Sequence, residues 1–190
     1  MAEMQKILTG IKVDHLLAEL KDYPGLWNRY DFRTNYEGSA HAQVSDIILR
    51  YRDFSDFEQD NPQDFASEHE SEWYAAAYMM PGFKKTIEDI FSIVGGSELG
   101  GCLITKIPAG CEVKPHSDSG HWHSEHFLNK YLLLLESAPR QTFEFGDEVH
   151  EGEAGDLFLF DNRTTHAVYN RSDVDRLSLI IAVRQKVHDE

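Results

Sequence analysis

The stretch "GGCLITKIPAGCEVKPHSD" (residues 100–118) marks the change from helical to β-strand patterning in this chain. Two short apolar runs, 102–107 and 112–118, flank Pro108-Ala109-Gly110, a combination that is typical of a tight turn between strands. Further runs of the same kind, separated by turn residues, follow at 129–136, 141–145, 147–150, 156–161, 165–170 and 175–184. Short strands at this spacing predict a double-stranded β-helix core, the jelly-roll or cupin-like arrangement.

The N-terminal half has a different pattern. Apolar residues at helical spacing predict helical turns over residues 3–21 and a broken helix over residues 72–94. Residues 42–51 are predicted to form a strand, and the acidic, turn-rich residues 55–72 an exposed loop. The predicted fold class is therefore mainly β with N-terminal helices (α+β).

The chain length predicts a single domain spanning residues 1–190, because 190 residues can bury a sizeable core. Within it, residues 1–100 are expected to pack on the jelly-roll core of residues 101–185, which carries the metal site. The net charge of -15 disfavours binding to long nucleic acid, since an acidic surface repels a phosphate backbone. The expected partner is a small molecule or a peptide, and the sequence leaves the oligomeric state open.

The expected compartment is the cytoplasm, which for a phage-encoded chain means the cytoplasm of the host. Cys102 and Cys111 are expected to be reduced thiols, with a pair across neighbouring strands as the alternative. The first residues, "MAEMQKILTGIKVDHLL", lack the apolar core and the cleavage site of a signal peptide. No apolar run is long enough to span a bilayer, so no membrane is expected as a partner.

Two histidines and a carboxylate form the candidate metal site. His116 and Asp118 are two residues apart at a predicted strand end, so their side chains point to the same side. His166 lies 48 residues after Asp118, on a later strand that a jelly roll can bring back beside the first. Two imidazoles and one carboxylate on one face match the facial triad of non-haem Fe(II) oxygenases. The alternative for the His-x-Asp pair alone is an ordinary surface turn.

A basic residue on a later strand, Arg176, supports the interpretation of these residues as a facial triad. Arg176 and Ser178 alternate on one face of an otherwise apolar strand, so a guanidinium and a hydroxyl can point together into the sandwich. A guanidinium pairs bidentately with a carboxylate, as binding the distal carboxylate of 2-oxoglutarate requires. The alternative is an edge-strand arginine paired with Asp173 or Asp175.

The segments "PHSD" (115–118), "LFDNRTTH" (159–166) and "DRLSLIIAVR" (175–184) resemble the Fe(II)/2-oxoglutarate-dependent oxygenases. Within that superfamily, the chain looks like the aspartyl/asparaginyl β-hydroxylase branch often encoded by phages and bacteria. The similarity extends over roughly residues 27–184 and includes "GGCLITKIPAG" and "KYLLLLESAP".

The resemblance implies roles for individual residues. His116, Asp118 and His166 would bind Fe(II), and Arg176 with Ser178 would hold the C5 carboxylate of the cosubstrate 2-oxoglutarate, with O2 as the second cosubstrate. Asn129 and Tyr131 fall where the family places side chains near the cosubstrate, although the family residue there is often basic or histidine. The mammalian-type β-hydroxylases lack the acidic iron ligand, so Asp118 weakens the inference that the substrate is a peptidyl aspartate or asparagine.

Residues outside the triad are candidate substrate contacts. His121, Trp122 and His123 are expected in a loop over the mouth of the site. The alternatives are a plain solvated loop and a separate zinc site formed by His121, His123 and His126. Arg50 and Arg52 alternate on a predicted strand and could contact an anionic substrate or pair with neighbouring acids. The remaining histidines are expected on the surface: His15, His41, His69, His150 and His188.

The predicted function is that of an Fe(II)- and 2-oxoglutarate-dependent dioxygenase that hydroxylates an amino-acid, peptidyl or nucleotide substrate and releases succinate and CO2. One alternative is a cupin-like metalloenzyme that does not use 2-oxoglutarate. The other is a non-catalytic jelly-roll protein that binds a sugar or a peptide.

Overall fold

A computed structural model describes residues 4–53, 68–118 and 125–185 of the chain. The helices are α1 (Asp14–Asp22), α2 (Ala75–Met79) and α3 (Pro81–Ile93), with a single 3-10 turn at Pro24–Leu26. The strands are β1 (Gln5–Leu8), β2 (Ser45–Tyr51), β3 (Glu72–Trp73), β4 (Gly96–Ile107), β5 (Glu112–His116), β6 (Asn129–Glu136), β7 (Gln141–Phe145), β8 (Glu148–His150), β9 (Leu157–Asp161), β10 (His166–Asn170) and β11 (Arg176–Gln185).

Within the described residues, the strands form two antiparallel sheets. A seven-stranded sheet has the order β1-β9-β6-β11-β4-β2-β3, and a four-stranded sheet has the order β5-β10-β7-β8. This two-sheet arrangement is the predicted jelly-roll core, and the fold class is confirmed. In the part of the chain that the structure describes, no helix is long and apolar enough to cross a membrane.

The seven-stranded sheet is covered on both faces. On β6, Tyr131, Leu133 and Leu135 pack in the core that also contains the buried side chains of α1 and α3. The alternate residues Leu132 and Leu134 pack in a second core, which contains buried residues of both sheets. Because neither face of β6 meets water in its middle, residues 131–135 are continuously apolar rather than alternating.

The prediction of helical turns over residues 3–21 is wrong at its start. Gln5–Leu8 is an edge strand paired with β9, and the helix begins only at Asp14. Gly10 lies between them with a φ of 70°, a conformation that interrupts a right-handed helix. The broken helix over residues 72–94 is confirmed from Ala75 onward as α2 and α3.

Cys102 and Cys111 are free thiols, as expected. Burial raises the pKa of the Cys102 thiol well above its ordinary value. Cys102 lies in the core between the large sheet and the helices, so its role is packing rather than nucleophilic chemistry.

Candidate active site

A cavity of about 550 Å³ lies between the two sheets. Its lining comes from β2, β4, β6, β9 and β11 of the large sheet and from β5, β7 and β10 of the small one. The segment before β2 adds Phe32, Arg33, Tyr36 and His41 to the wall. A space of this size is typical of small-molecule sites.

His116, Asp118 and His166 meet in this cavity. His116 ends β5 and lies opposite His166, the first residue of β10, in the antiparallel pairing of the two strands. The backbone N–H of Asp118 donates to the Asn162 carbonyl at 2.9 Å, which brings the carboxylate back beside the histidines. One ligand atom from each of the three side chains lies within 4.8 Å of the others.

Both imidazoles are held in a tautomer that leaves Nε2 free to bind a metal. The Nδ1 atom of His116 is 2.8 Å from the Lys114 carbonyl oxygen, and that of His166 is 2.9 Å from the Thr164 carbonyl oxygen. Nδ1 therefore carries the proton as donor, and Nε2 keeps its lone pair. Burial lowers the pKa of His116. Burial and the nearby His116 ring together lower the pKa of His166 to about 4. Both rings are therefore neutral at pH 7.

Asp118 is paired with a lysine that sequence reasoning missed. Burial by itself would raise the pKa of this carboxyl, but the Lys130 ammonium and the two histidines outweigh it and hold the pKa below its usual range. The Lys130 Nζ donates directly to Asp118 Oδ2. The signal in the sequence is the basic residue that the family often has on this strand, which stands at position 130 rather than at 129 or 131.

Arg176 and Ser178 line the same cavity, as predicted. The Arg176 side chain is 3% exposed, and burial lowers its pKa to about 10, so it remains a cation at pH 7. Its Nη1 donates to Ser178 Oγ at 3.4 Å, while its buried Nε has no hydrogen-bond partner among the described residues. A buried cation next to a hydroxyl, with a donor to spare, fits an incoming carboxylate.

Asn129 and Tyr131, which are predicted near the cosubstrate, do not line this cavity. Side chains alternate along β6, and it is Lys130 and Leu132 that line the cavity. Tyr131 points to the opposite face, where it is buried in the helix-side core and its hydroxyl accepts a hydrogen bond from Gln185. Asn129 has the same parity as Tyr131 and does not line the cavity.

Arg50 and Arg52 do not contribute to the cavity wall either. A β-bulge between Ile48 and Arg50 reverses the alternation of β2, so Tyr51 faces the cavity and Arg50 faces away. The Arg50 guanidinium lies 5.2 Å from the centre of the Trp73 ring and donates to the Leu99 carbonyl. Arg52 follows the end of the strand, which excludes the predicted alternation of the two arginines on one strand face.

The predicted histidine-rich substrate loop is described only in part. His121, Trp122 and His123 lie outside the described residues. His126 contacts Glu98 Oε2 at 2.6 Å and Arg184, away from the triad.

His41 is a second residue that sequence reasoning missed. The sequence predicts it on the surface, but its ring lies 4.6 Å from that of His116 and lines the cavity. Burial, together with Arg33, lowers its pKa well below the ordinary value, so this ring is neutral at pH 7. Nothing in the local sequence marks it, because the position of its loop depends on the tertiary fold.

Comparisons with known proteins give a family match and several structural matches. The family model for aspartyl/asparaginyl beta-hydroxylase matches residues 20–186. No curated protein matches the chain by sequence. Among solved structures, a prolyl-4-hydroxylase from Pseudomonas putida is similar with a TM-score of 0.54 and 16% identity, over 98% of this chain and 95% of that one. An oxidoreductase of the 2OG-Fe(II) oxygenase family from Burkholderia pseudomallei has a TM-score of 0.54 and 10% identity, over 75% of this chain and 67% of that one.

At these identities the two structures are evidence of a shared fold alone. The chemistry of the site depends on the side chains themselves. Two neutral imidazoles, one ionised carboxylate and a buried guanidinium fit Fe(II), 2-oxoglutarate and O2.

Proposed function

The chain belongs to the aspartyl/asparaginyl beta-hydroxylase family and is a hydroxylase, and on that premise we propose that it oxidises an amino-acid, peptidyl or nucleotide substrate with release of succinate and CO2. The observation that carries this proposal is the pairing, in one cavity, of the three-residue ligand set with the buried Arg176.

His116, Asp118 and His166 would hold Fe(II). The bound metal would supply the activation of O2, coupled to decarboxylation of 2-oxoglutarate, that oxidises the substrate. The protein prepares the ligands in advance, since the carbonyls of Lys114 and Thr164 orient the two Nε2 lone pairs.

Arg176 and Ser178 would bind the C5 carboxylate of 2-oxoglutarate. The guanidinium is a cation without a carboxylate partner among the described residues, and the neighbouring hydroxyl supplies a further hydrogen bond. Arg176 and Ser178 are both buried, so little water screens the attraction between the two charges. Lys130 keeps Asp118 ionised in the metal-free protein, where it is the counter-ion that an arriving cation must displace.

The substrate proposal remains a class rather than a compound. The acidic surface supports a small molecule or a peptide over long nucleic acid or a membrane, and action in the cytoplasm belongs to the same proposal. The presence of Asp118 in the ligand set keeps substrates other than peptidyl aspartate and asparagine within it.

The test is an anaerobic titration of the Fe(II)-loaded protein with 2-oxoglutarate. We expect a visible metal-to-ligand charge-transfer band that saturates with cosubstrate. Arg176→Met should weaken 2-oxoglutarate binding roughly 100-fold, because it removes a charge-assisted bidentate contact in a buried site. Arg163→Met is the matched control, since that arginine is exposed and pairs only with Asp161 among the described residues.

Two outcomes would contradict the proposal. Absence of the band together with absence of succinate under air would exclude the 2-oxoglutarate reaction. Metal-dependent turnover of a substrate without any oxoacid would instead favour the cupin-like alternative.

A further inference from the structure

A buried ion pair lies in the wall of the cavity beside the proposed 2-oxoglutarate pocket. Arg33 donates from Nε to Asp46 Oδ2 and from Nη2 to Asp46 Oδ1, both at 2.8 Å. Asp46 is 1% exposed, so the pair is a bidentate contact with little access to water. Such a pair costs desolvation energy and leaves a strong uncompensated charge if one member is lost.

Thr105 belongs to the same network. Its hydroxyl donates to Asp46 Oδ1 at 2.8 Å, and its oxygen accepts from Arg33 Nη2 at 3.1 Å. The only hydroxyl proton of Thr105 is therefore committed to Asp46. Thr105 lines the cavity but is not free to donate to a ligand there.

Strand register places this network at the cosubstrate end of the cavity. Asp46 on β2 is paired with Thr105 on β4, and Thr105 is paired with Ser178 on β11. Two strand spacings separate Asp46 from Ser178, which is about 10 Å. A carboxylate held by Arg176 and Ser178 would thus lie within range of the Asp46 charge.

The charges at this end of the cavity balance a single carboxylate. Arg33 and Asp46 cancel, so the net charge is that of Arg176 alone. Without Arg33, the Asp46 charge would oppose the cosubstrate. Without Asp46, the net positive charge would double.

We propose that Arg33 and Asp46 are positioning residues that set the charge of the 2-oxoglutarate pocket to that of one cation. This inference depends on the proposed function, because it assumes that Arg176 and Ser178 bind the distal carboxylate. Arg33 also connects the pocket to the segment that covers it, since its carbonyl accepts from Ser39 Oγ and the neighbouring Phe32 and Tyr36 line the cavity.

The experiment measures the dissociation constant of 2-oxoglutarate in the metal-loaded full chain under anaerobic conditions, by calorimetry and by the charge-transfer band. The variants are Arg33→Met, Asp46→Asn and the double variant. At about 10 Å and an effective dielectric constant of about 20, one unit charge changes the affinity roughly tenfold.

We expect Arg33→Met to bind 2-oxoglutarate roughly tenfold more weakly than the wild type, and Asp46→Asn to bind it roughly tenfold more tightly. The double variant has the wild-type net charge and should return to within about threefold of the wild-type constant. The control is Lys6→Met with Asp156→Asn, an ion pair of 2.7 Å that does not line the cavity and should leave the affinity unchanged.

If the Arg33–Asp46 pair only stabilised the fold, the three variants would rank differently in their affinity for 2-oxoglutarate. If both single variants and the double variant weaken binding, or if none changes it, the inference is wrong. If Arg33→Met does not fold, tighter binding by Asp46→Asn than by the double variant remains the deciding comparison. If the wild type itself does not bind 2-oxoglutarate, it is the proposed function that fails.

Discussion

At the scale of single residues, the contact between Lys130 and Asp118 has the largest consequence for metal binding. In the protein without metal, Lys130 is the counter-ion of the carboxylate that would bind Fe(II). A divalent cation must take this carboxylate from the ammonium and then remain near a positive charge. Lys130 therefore stabilises the metal-free protein and opposes the metal.

Lys130→Met should destabilise the metal-free protein and strengthen metal binding. We expect the metal-free variant to lose about 2 kcal/mol of stability, because a partly buried carboxylate is left without its partner. Its affinity for a divalent metal should rise roughly tenfold, since the metal now neutralises that carboxylate without repulsion from the lysine. Titration with Co(II), followed by absorption, measures the affinity.

Lys114→Met is the control for this prediction. Lys114 is exposed on β5, next to the site in the chain, and its backbone carbonyl, which orients His116, is retained in the variant. An unchanged or lower Co(II) affinity in Lys130→Met would show that the lysine does not compete with the metal.

At the scale of elements, two turns that precede strands each contain a glycine with a positive φ. Gly155 precedes β9 with a φ of 89°, and its backbone N–H and carbonyl bond to Leu134 and Ile11. A Cβ at this position would lie 2.5 Å from the Ile11 carbonyl oxygen. Gly110, in the turn before β5, also has a positive φ, of 74°, but an alanine methyl there would meet no described atom within 4 Å beyond its chain neighbours.

These two glycines separate backbone strain from steric overlap. Gly110→Ala should cost about 1 kcal/mol, which is the cost of a left-handed conformation for alanine. Gly155→Ala should cost about 3 kcal/mol, because the overlap with rigid backbone adds to that strain. Urea unfolding of the two variants measures the difference, and equal losses would contradict the close approach of Ile11.

At the scale of the whole molecule, the N-terminal half completes the large sheet. β1, β2 and β3 are strands of that sheet, and the helices cover its outer face. The predicted start of the jelly-roll core, residue 101, falls inside β4. We therefore propose that the described parts of the chain unfold as one cooperative unit.

A fragment containing residues 96–185 tests this proposal. It retains all of β4 but loses the side chains that cover Leu179, Ile181 and Val183, so we expect it to be unfolded or aggregated. The full chain should show a single thermal transition by circular dichroism. A fragment with a cooperative transition of its own would contradict the single-unit proposal.

Much of the candidate site was predictable because it depends on local spacing. The two-residue interval between Arg176 and Ser178 follows from the alternation of side chains along β11. The spacing of His116 and Asp118 also marked them as a pair, but Asp118 lies past the end of β5 and is placed by its backbone hydrogen bond to Asn162. The ten-residue interval from His166 to Arg176 covers one strand and one turn, so the two residues start consecutive strands, β10 and β11.

Sequence alone therefore determined the jelly-roll core, the three metal ligands as candidates and the arginine opposite them. The tertiary structure decided which face of β6 meets the cavity, because the strand is covered on both sides and its residues 131–135 are all apolar, so the sequence does not distinguish the two faces. It also decided that a bulge turns Arg50 away and that a long connection brings Arg33 and His41 into the wall. Contacts of this kind join residues far apart in the chain, and no local pattern records them.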